Sequence, residues 1–128
     1  MSYTIDRLIS DADFDTVDTR ARKALMDGGF GVLTEIDVKA TMKKKIDKDM
    51  DDYRILGACN PNMAWHAIGI EAKVGTMLPC NVILRTVDGG VEVSAVDPTA
   101  SMSGIKNAEL SAVASQVKQM LENVVAAI

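Results

Sequence analysis

The sequence predicts an α+β domain, a single mixed and largely antiparallel β-sheet with helices packed on one face, in the order β-α-β-α-β-α-β-β-α. Three observations carry the prediction. "DGG" at Asp88 to Gly90 separates the runs "PCNVILRTV" and "VEVSAV", the pattern of a β-hairpin. The C-terminal stretch places Leu110, Val113, Val117, Met120 or Leu121, Val124 and Ile128 at helical spacing. Upstream, three strand-like segments are each succeeded by residues suited to starting a helix.

In order along the chain, "SYTIDRLI" (Ser2 to Ile9) alternates enough to form a first strand. Asp13 is placed to cap a helix whose apolar stripe is Phe14, Val17, Ala21, Ala24 and Leu25. Asp27 to Gly29 end that helix, because glycine accepts the left-handed conformation of a C-terminal cap. Phe30 to Asp37 reads as a second strand, and Asp37 is positioned to cap a second helix. "VKATMKKKIDKDM" carries Val38, Met42, Ile46 and Met50 every four residues, with Lys39, Lys43, Lys44, Lys45 and Lys48 elsewhere, a narrow-striped surface helix. Asp47, Asp49, Asp51 and Asp52 come immediately after, so the lysines read as one side of a solvated charged face.

Tyr53 to Cys59 is a third strand. Asn60 at the cap and Pro61 in the first turn then start a third helix. In the second hairpin strand Val91, Val93 and Ala95 point one way while Glu92 and Ser94 point the other. The last helix begins at about Ile105 or Asn107, and its long apolar stripe requires a hydrophobic surface beneath it. A sheet covered on one face leaves the other in need of a partner, and a two-fold homodimer is the commonest way to cover it.

At 128 residues the chain is expected to be one domain, spanning residues 1–128. It is 48% hydrophobic and 25% charged, a globular balance. With only five aromatics, the core is expected to be aliphatic and rich in the eight Met residues. A net charge of −4 argues against a nucleic-acid surface, which needs clustered positive charge. No apolar run approaches the ~20 residues that span a bilayer. The start, "MSYTIDRLISDADFD", is charged too early for a secretory signal, and two cysteines without such a signal read as reduced thiols in a cytoplasm. No Gly-rich strand-to-helix loop of a nucleotide fold is present.

The chemistry concentrates in "GACNPNMAWHAIGIEAKVGTMLPCN", Gly57 to Asn81, which holds both cysteines and the single histidine. Cys59 precedes a helix N-terminus, where the helix dipole favours a thiolate. Equally, a free cysteine at this position suits a small buried apolar role. Cys80 comes after Pro79 at a strand start. The separation of 21 positions is not that of a local CxxC couple, but the two thiols meet if that strand begins beside the helix entrance.

Met63 and Met77 are the better-placed companions for two thiolates in a soft copper site, whereas a Cys2His zinc site requires His66. Cys59 and His66 lie seven positions apart, ~10 Å along a helix, too far to share one ion easily. Glu35 and Asp37, at i and i+2 in a strand, share a face and supply a carboxylate pair. No nucleophile–base–orienter set accompanies them, so hydrolase chemistry is weakly supported.

At "FGVLTEIDVKATMKKKI", "ILGACNPNMAWHAI", "LPCNVILRTVDGGVEVSAVDP" and "MSGIKNAELSAVASQV" the chain resembles the domain-of-unknown-function 302 (DUF302) family. The paired "ACNP" and "LPCNV" blocks, in this order and spacing, give the likeness its specificity. The resemblance implies a small α+β fold of the TATA-binding-protein-like class, usually a homodimer, with no implication of DNA binding. It supplies no reaction. It does place Cys59, Asn60, Pro61, Pro79, Cys80 and Asn81 on recurring blocks, with Glu35 and Asp37 on an earlier one and His66 outside them.

Two functions are expected on these grounds. One is a dimeric module binding a small ligand, an anion or a soft metal (copper or zinc) near Cys59 and Cys80, with Asn60, Asn81, Glu35 and Asp37 as further ligand-contacting candidates. The other is a thiol-dependent redox or sulfur-handling protein. A scaffold whose cysteines only pack is the third outcome.

Overall fold

The structure, a computed structural model, describes residues 2–128. A five-stranded sheet of β1 (Thr4–Ile9), β2 (Gly31–Asp37), β3 (Tyr53–Cys59), β4 (Cys80–Val87) and β5 (Gly90–Val96) has the order β1-β5-β4-β3-β2. Every neighbouring pair is antiparallel, so the expected mixed sheet is a purely antiparallel one. The two edge strands, β1 and β2, are joined by a helix that crosses the sheet, which leaves β5, β4 and β3 between them.

Helices α1 (Phe14–Asp27), α3 (Pro61–Ile70), α4 (Pro98–Ser101) and α5 (Ala108–Ala127) accompany the sheet, and α2 (Val38–Ile46) joins β2 to β3. The caps are those expected from the side chains. Asp13 accepts from Thr16 N at 2.8 Å, Asp37 from Ala40 N at 2.9 Å, Asn60 from Met63 N at 3.1 Å and Asn107 from Leu110 N at 3.2 Å. Gly29, at φ +90°, takes the left-handed position after α1.

Two elements were not visible in the sequence pattern, a 3-10 helix at Ala72–Met77 and the short α4. Helix α2 also ends before the apolar spacing does. Asp47 adopts φ 53° and ψ 44°, its amide returns to Lys43 O at 3.1 Å, and Met50 falls beyond the helix.

The core lies between the sheet and α1 and α5. Leu56, Ala58, Val82, Leu84, Val93 and Ala95 rise from the strands to meet Val17, Ala21, Leu25, Leu110, Leu121 and Val124. These positions share one face because strand side chains alternate. The expected Met-rich core is not found: among the described residues Met102 is the one buried methionine, and Met63 and Met120 pack partly buried against the core. The far end of α5 is closed by the first strand: Arg7 Nη1 donates to Val125 O at 3.2 Å, Ala126 O at 2.9 Å and Ile128 O at 3.1 Å. These carbonyls lie at the helix end, where internal partners run out, although Val125 O also accepts from Ile128 N at 3.4 Å.

No helix among the described residues is long and apolar enough to cross a membrane.

Candidate functional site

The "ACNP" segment ends β3 and begins α3, and "PCN" begins β4 alongside it. Ala58 is registered opposite Cys80 and Gly57 opposite Asn81, so the two blocks of the sequence meet at one end of the sheet. Pro79 enters through a cis Leu78–Pro79 bond. Gly57 has no side chain because none fits: a Cβ there would run into the Thr34 hydroxyl and the Pro79 ring.

Beside this junction, between α3 and α5 on the covered side of the sheet, is a narrow cavity of about 30 Å³. Cys59, Asn60, Met63, Ala67, Cys80, Met102 and Ala114 are among its lining residues, with Phe30, Leu78, Pro98 and Val117 completing the wall. The lining is apolar apart from the two thiols and Asn60. Asn60 Oδ1 is already engaged by the α3 amide, so it offers little to an anion.

The expected cysteine pair is not formed. Cys80 is registered against Ala58, Cys59 is registered against Gly31 on the other neighbouring strand, and both thiols are free. Their surroundings differ. Cys80 is 7% exposed and Cys59 is half-buried. Burial, with a further contribution from negative charge on Cys59, pushes the Cys80 thiol up to about 11.

The five candidate metal ligands do not converge. Cys59, Cys80 and Met63 line the cavity, whereas Met77 is 45% exposed in the 3-10 helix and His66 is exposed on α3. The reason is helical phase: Met63 and Ala67, four apart, face inward, which turns His66 away. No group of three His, Cys, Asp or Glu side chains able to hold a metal ion occurs among the described residues.

Of the ligand-contacting candidates, Cys59, Asn60 and Cys80 line the cavity, without the two thiols pairing, and the others lie elsewhere. Asn81 is exposed on the opposite face of the sheet, where it borders a shallow groove. Asp37 caps α2. Glu35 belongs to an ion-pair cluster that ties α1 to the β2–β3 edge. Asp18 accepts from Arg22 at 2.7 Å and from Arg54 at 2.9 Å, Arg22 reaches Glu35 at 3.0 Å, and Arg54 lies 3.6 Å from Glu35. The Arg54 guanidinium also sits 5.1 Å over the Phe14 ring. Burial pushes the Asp18 carboxyl upward, but hydrogen bonds from Arg22 and Arg54 outweigh it and hold the group below the usual carboxylate range. The charges balance within the cluster, which makes it a structural clasp.

The cavity's apolar wall was missed at the sequence level. Its residues were legible only as helix stripes, and Met102 lies on a segment with no periodic pattern.

Residues 7–128 match the family described as "Domain of unknown function DUF302". The chain belongs to the DUF302 family. Comparison with curated proteins gave no match. Among solved structures, the chain is similar to an uncharacterized conserved DUF302 protein from Bacillus stearothermophilus, with a TM-score of 0.92 and 21% identity over 98% of each chain. At that identity the likeness establishes a shared fold. In this DUF302 protein the "ACNP" and "LPCNV" blocks form the two sides of one strand-end junction.

Proposed function

We propose that this DUF302 domain is a binding module that takes a small, predominantly apolar molecule into the cavity between α3 and α5, with Cys59 as a polar contact in its wall, and that it acts as a homodimer. The observation that carries the ligand reading is the lining: apolar side chains from β3, α3, α4 and α5 surround a space with three polar residues, one of them committed to a helix cap. As it stands the space accommodates little more than a water-sized group. Met63 and Met102 line it, and their unbranched, adaptable side chains allow it to enlarge around a guest. An anion is disfavoured by the same wall, because an unpaired charge in an apolar site is costly.

The thiol-carrier alternative is less well supported. A dithiol couple needs one thiol to attack and the other to resolve, and Cys80 is buried and held protonated at neutral pH.

The test is titration of the protein with indole and with benzene, read by amide chemical shifts. Saturable shifts at Cys59, Met63 and Ala114, abolished by the cavity-filling Ala67→Leu, are expected. Shifts confined to other surfaces, or shifts unchanged in the filled variant, would overturn the reading. Ala114→Leu, which fills the cavity from α5, serves if Ala67→Leu does not fold.

A further inference from the structure

Strand β2 is an edge of the sheet. It pairs with β3 on one side, and no backbone group of Gly31–Ile36 bonds to anything outside that ladder among the described residues. An edge strand directs the N–H and C=O of alternate residues away from its partner, a pattern of donors and acceptors that another extended chain matches. The devices that usually protect such an edge are sparse. "GVLTEID" holds no proline or lysine, and its irregularity is a bulge between Val32 and Thr34, which leaves Leu33 without a partner and 67% exposed. The other edge, β1, differs, because the end of α5 lies against it, held through Arg7.

Beside this edge α1 presents one outward stripe, Thr19, Arg22, Lys23 and Met26, at the spacing of a single helix face. A groove of about 430 Å³ lies between that stripe and Phe30, Gly31 and Val32. Val32 faces the helices because it is registered to Ala58, a core residue. Met26, on the opposite wall, is 70% exposed. Arg22 reaches Glu35 at 3.0 Å and so fixes the helix at its distance from the strand, which forms the groove in advance of any occupant.

The charges around the groove nearly cancel. Arg22 and Arg54 are balanced by Asp18 and Glu35 in the clasp, and Lys23 by Asp27 at 2.7 Å. Asp15, one turn before Thr19, and Asp37, which caps α2 at the end of β2, leave that end mildly acidic. An acidic segment is therefore disfavoured, and no cation is left over to recruit one. Size argues against a folded occupant. An edge ~20 Å long and ~10 Å deep gives a second copy ~200 Å² to bury, against the ~600 Å² per partner at the low end of stable interfaces. A flexible extended segment pairs along the edge and fills the groove as well.

We propose that the free edge of β2 takes an extended, uncharged peptide segment of another protein as an additional strand, with one branched apolar side chain of that segment seated between Met26, Phe30 and Val32. Main-chain pairing supplies the attraction and the groove supplies the selectivity. This is a different place from the cavity between α3 and α5, with which the groove shares Phe30 as a wall.

Titration of the full chain with three blocked heptapeptides, in which threonine alternates with valine, isoleucine or leucine, tests this by amide chemical shifts and hydrogen exchange. Saturable shifts are expected over Gly31–Ile36 and at Lys23 and Met26. Alternate amides of β2 should exchange at least ~tenfold more slowly with peptide bound. Methylating the backbone nitrogens along the pairing edge of the best-binding peptide keeps its side chains and removes its ladder donors, so binding should be lost. Met26→Glu, at an exposed position, is expected to weaken binding about tenfold, because it puts a charge where an apolar side chain sits. No saturable shift with any of the three peptides at about 1 mM, or shifts confined to other surfaces, overturns the proposal. Equal binding by the methylated peptide, or undiminished binding by Met26→Glu, overturns it too. If the same β2 amides shift with protein concentration in the absence of peptide, a second copy holds the edge and the proposal fails.

Discussion

Cys80 faces Ala58, and not Cys59, across the β3–β4 ladder. This one-residue offset separates two thiols that are both at element ends and both beside the same cavity. It gives them different chemistry, one buried at 7% exposure and the other half-buried.

Alkylation is therefore expected to be ordered. Under native conditions at about pH 7.5, iodoacetamide should label Cys59 at least roughly tenfold faster than Cys80, because of the burial and the smaller thiolate fraction of Cys80. Peptide mass spectrometry after quenching reads the two sites separately. Equal rates in the folded protein would mean that the cavity opens far more than its narrow lining indicates.

The same thiol makes stability depend on alkaline pH. Cys80 titrates at about 11 in the fold, against 9.0 for an unperturbed thiol. For a thiol the charged form is the deprotonated one, and burial disfavours it. A folded-state pKa raised above the unfolded one gives stability that is fully present below pH 9.0 and lost as pH rises towards about 11. That difference corresponds to a loss on the order of 2 to 3 kcal/mol at the top of the window. Urea midpoints measured in steps across this window should fall accordingly, and Cys80→Ala should flatten that part of the profile.

At acid pH Asp18 also contributes, through its ion pairs. Its carboxyl is driven up by burial but held below the usual range by Arg22 and Arg54, so the clasp contributes stability above about pH 4, the unfolded value, and loses it as pH falls through the folded one. Asp18→Ala leaves the partly buried Arg22 and Arg54 with Glu35 alone and is expected to cost about 2 to 3 kcal/mol at neutral pH. Asp18→Asn should remove the acid-limb contribution of this residue. A denaturation series from neutral pH down to about 2.5 checks both, and an unchanged acid limb in the Asn variant would assign that limb to other carboxylates.

Much of the fold was legible because its signals are local. Asp13, Asp37, Asn60 and Asn107 announce helix starts by their own hydrogen-bonding side chains, and "DGG" at Asp88 announces the hairpin. The bounds of β3 are set by its apolar run and the Asn60–Pro61 cap that ends it. The rest depends on contacts between distant segments. Strand order, and with it an all-antiparallel sheet, is set by the α1 crossover and not by any one strand. The early end of α2 turns on a left-handed Asp47, which the four-residue apolar spacing through Met50 conceals. At the site, the sequence leaves open whether "ACNP" and "PCN" meet, because that depends on where β4 starts, and whether the cysteines oppose each other depends on a one-residue register. Glu35 reads as a ligand-contacting candidate because its partners, Arg22 and Arg54, come from two other elements.

Arg7 should hold the last turn of α5. Its single nitrogen serves three carbonyls at 2.9 to 3.2 Å, and the chain supplies no basic residue in that turn to do so. Arg7→Ala is expected to cost about 1 to 2 kcal/mol, in the range of charge-assisted bonds and helix-end charges. Amide hydrogen exchange should accelerate at Val124 to Ile128 and remain slow at Leu110 to Val117, which distinguishes fraying from global destabilisation.

Gly57 gives the sharpest test of the strand-end junction. It sits in β3 between Thr34 on the neighbouring strand and Pro79, and a methyl group has no room against either. Pro79 immediately precedes Cys80 and lines the cavity, so a displaced proline disturbs the proposed binding site as well as the sheet. Gly57→Ala is expected to destabilise the protein by about 1 to 3 kcal/mol, the usual range for overpacking. Because one obstacle is a side-chain hydroxyl, Thr34→Ala in the same chain should recover part of that loss, while Thr34→Ala alone should be nearly neutral at its exposed edge position. A double-mutant cycle by urea denaturation measures the coupling. Additive effects would place the strain at Pro79 alone, and indole binding should then be the property that the Gly57 variant loses first.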